Sequence, residues 1–299
     1  MTGTVIFPGK AAVARAVALA GPRARVAHAR RLPGGTHART WLIQTADPAR
    51  DLVLREFPPG DPAPARETRV LTALDGLGGV APRLLASDVT GEPGEGPWVL
   101  ISRLPGAADI TPADPAGAAA RLGEALARIH ATPLDRLVEF DSVLDRPSGS
   151  PTALTGPAAG AVAANWEALA GASPVLTHYD FWSGNVLWQD GALTGVVDWP
   201  GAALGPPGFD LSWCRLDLYL LYEEDIADAF LHSYLGTGGN APTDPLWWDL
   251  WALARSHESV ETWMPNYRDL GRADLTPTEL RARHTAWTER LLARQQRQG

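Results

Sequence analysis

Val175-Leu176-Thr177-His178-Tyr179-Asp180-Phe181-Trp182-Ser183-Gly184-Asn185-Val186-Leu187-Trp188 sets a histidine, an aspartate and an asparagine between two apolar, strand-prone runs. Just downstream, Thr194-Gly195-Val196-Val197-Asp198-Trp199 places a second aspartate at the end of another such run and leads to Gly208-Phe209-Asp210-Leu211. Short rigid strands with polar side chains on the loop between them hold reactive groups in fixed geometry. The pattern therefore predicts a site.

The spacing is His-x-Asp, an asparagine five positions after the aspartate, and a further aspartate thirteen positions after the asparagine. It resembles the catalytic loop and metal-binding aspartate of the kinase superfamily. Its wording is most similar to the aminoglycoside phosphotransferase/choline kinase-like family. That family usually has glycine between the histidine and the aspartate, so Tyr179 is a small departure. The resemblance is specific over residues 175–212 and architectural over the rest.

Phosphoryl transfer demands positioning and neutralisation of triphosphate charge more than covalent chemistry. The resemblance implies that Asp180 accepts or orients the proton of a substrate hydroxyl, with His178 organising the loop. Asn185 and Asp198 are the implied Mg²⁺ ligands, hard oxygen donors that suit that ion. Asp210 is the implied support of the loop from the following helix. A zinc site on His178 and Asp180 is the competing reading, but no second histidine follows at ligand spacing.

Outward from this stretch, residues 25–57 read as strands broken by turns, and residues 64–77 as a helix with Val70, Leu71, Leu74 and Leu77 on one face. Two more strands are expected at 82–87 and 98–102 around a Gly/Pro-rich loop. Helices are expected at 113–131, at 162–169, and from 207 to the C-terminus, where Leu246–Trp263 reads as one periodic run. Residues 142–160 are rich in Ser, Pro and Gly and read as a weakly ordered loop. Strands and helices in separate blocks indicate α+β. With the resemblance, this is a bilobal protein-kinase-like fold. A small antiparallel-sheet lobe is expected over 1–104, and a larger, mostly helical lobe carrying catalysis and the acceptor over 105–299.

The first lobe should hold the nucleotide, ATP or GTP. Gly34, Gly35 and Thr36 lie between two strand-like runs, where glycines let backbone N–H groups approach phosphate. Kinase-like enzymes carry a lysine on the third strand, paired with a helix glutamate. Here the strand reads Val53-Leu54-Arg55-Glu56, so the expected pair is Arg55 with Glu67. The strand ending at Ser102 leads into the hinge, whose backbone would hold the adenine edge. That is main-chain recognition, which leaves ATP and GTP unseparated.

Lys10 is the one lysine among 26 basic residues, and the net charge is −8. An acidic chain lacks the basic face that nucleic acid requires. No apolar run reaches membrane-spanning length, and Arg15 interrupts the Ala/Val-rich stretch 11–20, which reads as a short amphipathic helix rather than a leader. The lone Cys214 forms no internal disulfide, in keeping with a reducing cytoplasm. Only twelve positions separate Asp198 from Asp210, too few for a peptide-docking activation segment. The expected acceptor is therefore a hydroxyl-bearing small molecule.

Trp251 and Trp263 are candidate walls of its pocket, and Glu223, in the acidic run 217–228, is a candidate attractor of positive charge. Arg281, Arg283, Arg290, Arg294 and Arg297 stand against a polycationic aminoglycoside. The expected activity is transfer of a nucleotide γ-phosphate to an antibiotic, or to a metabolite amino alcohol or sugar. The alternative is a silent nucleotide-binding pseudokinase, motivated by Arg55.

Overall fold

The computed structural model describes residues 8–32, 38–91, 95–242 and 244–298. By its contacts the chain forms two compact units, Met1–Pro105 with Gly195–Pro200, and Gly106–Thr194 with Gly201–Gly299. Residues 195–200 thus join the first unit, where the Val196 N–H donates to the Val80 carbonyl at 2.7 Å.

The first unit contains α1 (Lys10–Ala20), β1 (Arg25–Arg31), β2 (Arg39–Ala46), β3 (Arg50–Glu56), α2 (Ala63–Leu74), β4 (Leu84–Asp88) and β5 (Trp98–Ser102). The strands form one antiparallel sheet in the order β1-β2-β3-β5-β4. Side chains alternate across a strand, so Leu52 and Leu54 of β3 join Trp41, Ile43 and Leu100 against Ala12 and Ala16 of α1. Glu56 follows the same alternation and is buried. It accepts hydrogen bonds from the Trp41 indole at 2.8 Å and the Gly9 N–H at 2.5 Å. Glu95 accepts from the next two N–H groups, of Lys10 and Ala11. The two glutamates satisfy donors that the first turn of a helix leaves free. The periodic run expected to reach Leu77 stops at Leu74, because Asp75 takes a left-handed conformation (φ 42°) that ends the helix.

The second unit contains β6 (Ala107–Ala108), α3 (Pro115–His130), α4 (Ala159–Ala164), α5 (Trp166–Ala170), β7 (Val175–Thr177), β8 (Val186–Gln189), β9 (Ala192–Val196, which runs on into the first unit), β10 (Ala203–Gly205), α6 (Gly208–Leu221), α7 (Glu224–Gly236), α8 (Pro245–Ser256), α9 (Met264–Asp269) and α10 (Pro277–Gln298). β7 pairs with β10, and β8 lies between β6 and β9. α3 starts at Asp114, whose carboxylate caps the Gly117 N–H, and packs on α7. A Cβ at Gly123 would lie 2.4 Å from the Phe230 carbonyl oxygen, so only glycine allows that approach.

Residues 142–160 are more ordered than their composition suggests. They form three short turns, 143–145, 147–149 and 151–153, with Val143 fully buried. Ser142 and Ser150 cap turns, and prolines start two of them. The run 246–263 is not one helix. The Ser256 carbonyl accepts the Ser259 N–H, which closes a turn and ends α8. Among the described residues no helix is long and apolar enough to cross a membrane.

Candidate active site

Within the first unit, β3 alternation turns Arg55 away from α1 and toward α2. Its Nη1 donates to Glu67 Oε1 at 2.7 Å, and its Nη2 donates to Asp198 Oδ1 at 2.8 Å. Burial opposes the guanidinium charge, but the two carboxylates outweigh it and hold the Arg55 pKa above its ordinary value. Burial pushes the Glu67 carboxyl up to about 7 despite the pull of Arg55. Asp198 has φ 68°, a left-handed conformation that is costly for a side chain with a Cβ. The Arg55 bond holds it there. Ser102 uses its hydroxyl to accept the Arg83 N–H at 2.9 Å and its own N–H to bond the Arg83 carbonyl. Gly34, Gly35 and Thr36 lie outside the described residues.

In the second unit His178, Tyr179 and Asp180 follow β7. His178 is fully buried. Its N–H donates to Asp210 Oδ2 at 2.6 Å and the Tyr179 N–H donates to Asp210 Oδ1 at 2.7 Å. Asp210, in the first turn of α6, therefore holds the loop by its backbone. His130 at the end of α3 meets Asp210 Oδ2 at 3.2 Å and the Tyr234 hydroxyl at 2.8 Å. A buried chain of polar groups thus runs from α7 through α3 to the loop.

Tyr179 has φ 66°. The conformation is the one glycine would take without strain. Here the ring holds it in place. The Tyr179 hydroxyl donates to Ser148 Oγ at 2.8 Å, and the Arg146 guanidinium lies 5.5 Å over the ring. Arg146 also donates to the Gly201 and Ala202 carbonyls.

Asp180 has both carboxylate oxygens engaged. Asn185 Nδ2 donates to Oδ2 at 3.1 Å and to the Asp180 carbonyl at 2.9 Å. The Trp213 indole N–H donates to Oδ1 at 3.2 Å. With its nitrogen committed twice to Asp180, the Asn185 side chain has its carbonyl oxygen to offer a cation. Carboxylate and amide oxygens are the donors Mg²⁺ prefers, and Asp198 in the first unit and Asn185 in the second each carry one. Among the described residues no three His, Cys, Asp or Glu side chains form a metal-holding group.

Asp180 opens on a cavity of about 100 Å³. Trp182, Trp213 and Trp263 line it together with Asp217 and Tyr267, and no basic side chain is among the lining residues. Asp217 accepts hydrogen bonds from the Ser183 N–H at 3.0 Å, the Ser183 hydroxyl at 2.5 Å and the Tyr267 hydroxyl at 3.0 Å. Burial nonetheless pushes its pKa up. Of the expected pocket residues, Trp263 lines this cavity. Trp251 does not: it is buried in the core against Phe209 and Trp248. Glu223 is exposed at the start of α7.

The acidic run divides among different tasks. Asp217 faces the cavity, Asp228 pairs with Arg215, and Glu224 pairs with Arg290 and Arg294. Arg281 and Arg283 pair with Glu261 and Glu279. Four of the five C-terminal arginines are thus paired, with three glutamates among them. His130 and Trp213 escaped the sequence reading, and Asp217 entered it only as the first member of the acidic run. Asp210, Trp213 and Asp217 lie three and four apart, one face of a helix, and that spacing was the available signal.

The model of the phosphotransferase enzyme family matches residues 28–251. No curated protein matches the chain. Among solved structures, an aminoglycoside-3'-phosphotransferase of type VIII superimposes with a TM-score of 0.56 at 19% identity, covering 80% of this chain and 96% of its own. The apoenzyme of macrolide 2'-phosphotransferase MphH from Brachybacterium faecium gives 0.52 at 20% identity, covering 85% of this chain and 91% of its own. A thermostable mutant of aminoglycoside phosphotransferase APH(4)-Ia, in ternary complex with AMP-PNP and hygromycin B, gives 0.56 at 16% identity, covering 87% and 94%. These likenesses establish the kinase-like fold.

Proposed function

The chain belongs to the phosphotransferase enzyme family, and from that premise we propose that it moves the γ-phosphate of ATP or GTP to a hydroxyl of a small, amine-bearing molecule. The observation that carries this is Asp180, fixed by Asn185 and Trp213 at the edge of an aromatic cavity. The acceptor hydroxyl gives its proton to Asp180 as its oxygen bonds the γ-phosphorus. The bond from that phosphorus to the β–γ bridging oxygen breaks, and the nucleoside diphosphate leaves. Arg55 reaches the phosphates through its guanidinium fork. Asp198 and Asn185 are the residues that would hold Mg²⁺, which would neutralise triphosphate charge.

Indole rings and carboxylates lining one cavity suit a positively charged group. That supports an acceptor carrying an ammonium beside its hydroxyl: an aminoglycoside, a macrolide with its amino sugar, or a metabolite amino alcohol. A neutral sugar fits less well. The second reading, a nucleotide-binding pseudokinase, rests on Arg55 in the lysine's place. Asp180 favours the enzyme, since a module that only binds nucleotide has no use for a base held at both oxygens.

The test is a nucleotide-consumption screen, in ATP and in GTP, over hydroxyl-bearing antibiotics and amino alcohols, with product masses measured. A product heavier by one phosphoryl group is expected. Nucleotide binding without any phosphorylated product across the screen would favour the pseudokinase.

A further inference from the structure

Trp213 serves two surfaces at once. Its ring lines the cavity, edge-to-face with Trp263 at 5.2 Å between centroids, and its indole N–H reaches Asp180 Oδ1. The helix that carries it is buried on nearly every side, from Phe209 to Leu221, so the Trp213 backbone has little freedom.

We propose that Trp213 is a positioning residue for Asp180, its indole N–H setting the plane of the carboxylate toward the cavity that its own ring walls. The proposal rests on the phosphotransferase reading. A carboxylate on a loop turns readily about its last torsion. A donor on each oxygen, Asn185 on Oδ2 and Trp213 on Oδ1, restricts that freedom. Indole has a donor and no acceptor, so it binds the carboxylate in one sense only. At 3.2 Å the bond is long for a charge-assisted one, usually about 2.7–2.9 Å. Catalytic hydrogen bonds of this kind often tighten when substrate arrives. A group seated against the ring of Trp213 would press on the same side chain that holds the base.

The test compares full-length wild type with Trp213→Phe, which keeps a ring and removes the N–H, with Trp263→Phe as the wall control and Asp180→Asn as the base control. ATP turnover is measured with hygromycin B and with water as acceptors, beside ATP affinity and melting temperature. Indole N–H resonances are recorded by ¹⁵N NMR. The Trp213→Phe spectrum identifies the Trp213 signal, and Asp180→Asn is expected to shift it. Trp213→Phe should lower kcat about tenfold, the effect of one charge-assisted hydrogen bond, with ATP affinity and melting temperature held. Trp263→Phe, which alters the cavity wall but makes no bond to Asp180, should raise the KM for hygromycin B more than it lowers kcat.

An unmoved Trp213 resonance in Asp180→Asn overturns the proposal. So does wild-type kcat in Trp213→Phe, or a loss of kcat that comes with equal losses of ATP affinity and melting temperature. Turnover untouched by Asp180→Asn, or absent here and with every acceptor of the screen, overturns the phosphotransferase reading instead.

Discussion

Arg55 binds Asp198 through one arm of its guanidinium at 2.8 Å and Glu67 through the other at 2.7 Å. The candidate metal ligand is thus already neutralised by the residue that would hold the phosphates. On the proposed function the same two residues would be called on by a metal nucleotide, Arg55 to hold its phosphates and Asp198 its metal. Arg55→Lys supplies one ammonium where a fork spans two carboxylates. The nucleotide KM should rise about tenfold in Arg55→Lys and further in Arg55→Ala. Arg55→Ala should also lose ~2–3 kcal/mol of folding stability by urea unfolding, near the low end for a broken buried pair because Glu67 can take up a proton. Unchanged KM and kcat in both would make Arg55 a purely structural residue.

Asp198→Ala should abolish the part of nucleotide affinity that depends on Mg²⁺. Titrations with Mg²⁺ and with EDTA should converge in the variant and differ in the wild type. Equal affinity of variant and wild type in saturating Mg²⁺ would remove Asp198 from the metal site.

Asp180→Asn keeps the shape and loses the base. A fall in kcat of about 10²–10⁴-fold is expected, the range for general acid–base catalysis, with nucleotide affinity unchanged by direct titration. Full turnover would end its assignment as base.

Tyr179 can be probed by a pair of truncations. Tyr179→Ala and Tyr179→Gly both lose the contacts with Ser148 and Arg146. Only glycine is free of the left-handed penalty at φ 66°. Tyr179→Gly should therefore be the more stable of the two by ~1 kcal/mol, readable by denaturant unfolding. The reverse order would mean that the loop does not keep this conformation.

His284 is buried between Ser256 and the Leu253 carbonyl, and burial lowers its pKa to about 4 from 6.5. The unfolded chain binds the proton more readily, so this group's contribution is complete above pH 6.5 and is lost as pH falls toward 4. In His284→Gln that loss is absent. Between pH 7.5 and 5 the variant should gain ~2 kcal/mol relative to the wild type in urea unfolding. A constant difference across that range would mean that His284 titrates normally.

The fold was legible where periodicity is strict. The third strand-like run, Val53-Leu54-Arg55-Glu56, was legible as a strand, and Arg55 was found by its place on it. The loop after β7 was legible because its polar residues interrupt two apolar runs at fixed spacing. The three turns between 143 and 153 were not, because serine and proline caps build local order without any repeating apolar pattern. Trp213 and Asp217 were hidden for the opposite reason. α6 is buried nearly all round, so its polar members sit among leucines, and only their spacing of three and four from Asp210 hints at a shared face. Trp251 and Trp263 are alike in sequence character, yet one packs against Phe209 and the other reaches the cavity.

Arginine in the lysine's place also changes what reagents can see. An acyl-phosphate derivative of ATP labels an enzyme by handing its acyl group to a neutral amine beside the phosphates. The Arg55 guanidinium, held charged by two carboxylates, is no such nucleophile. Lys10, exposed at the first turn of α1, is the only lysine the chain offers. A chemical survey that finds kinases by acylating their phosphate-site amine would pass over this protein while it was fully active.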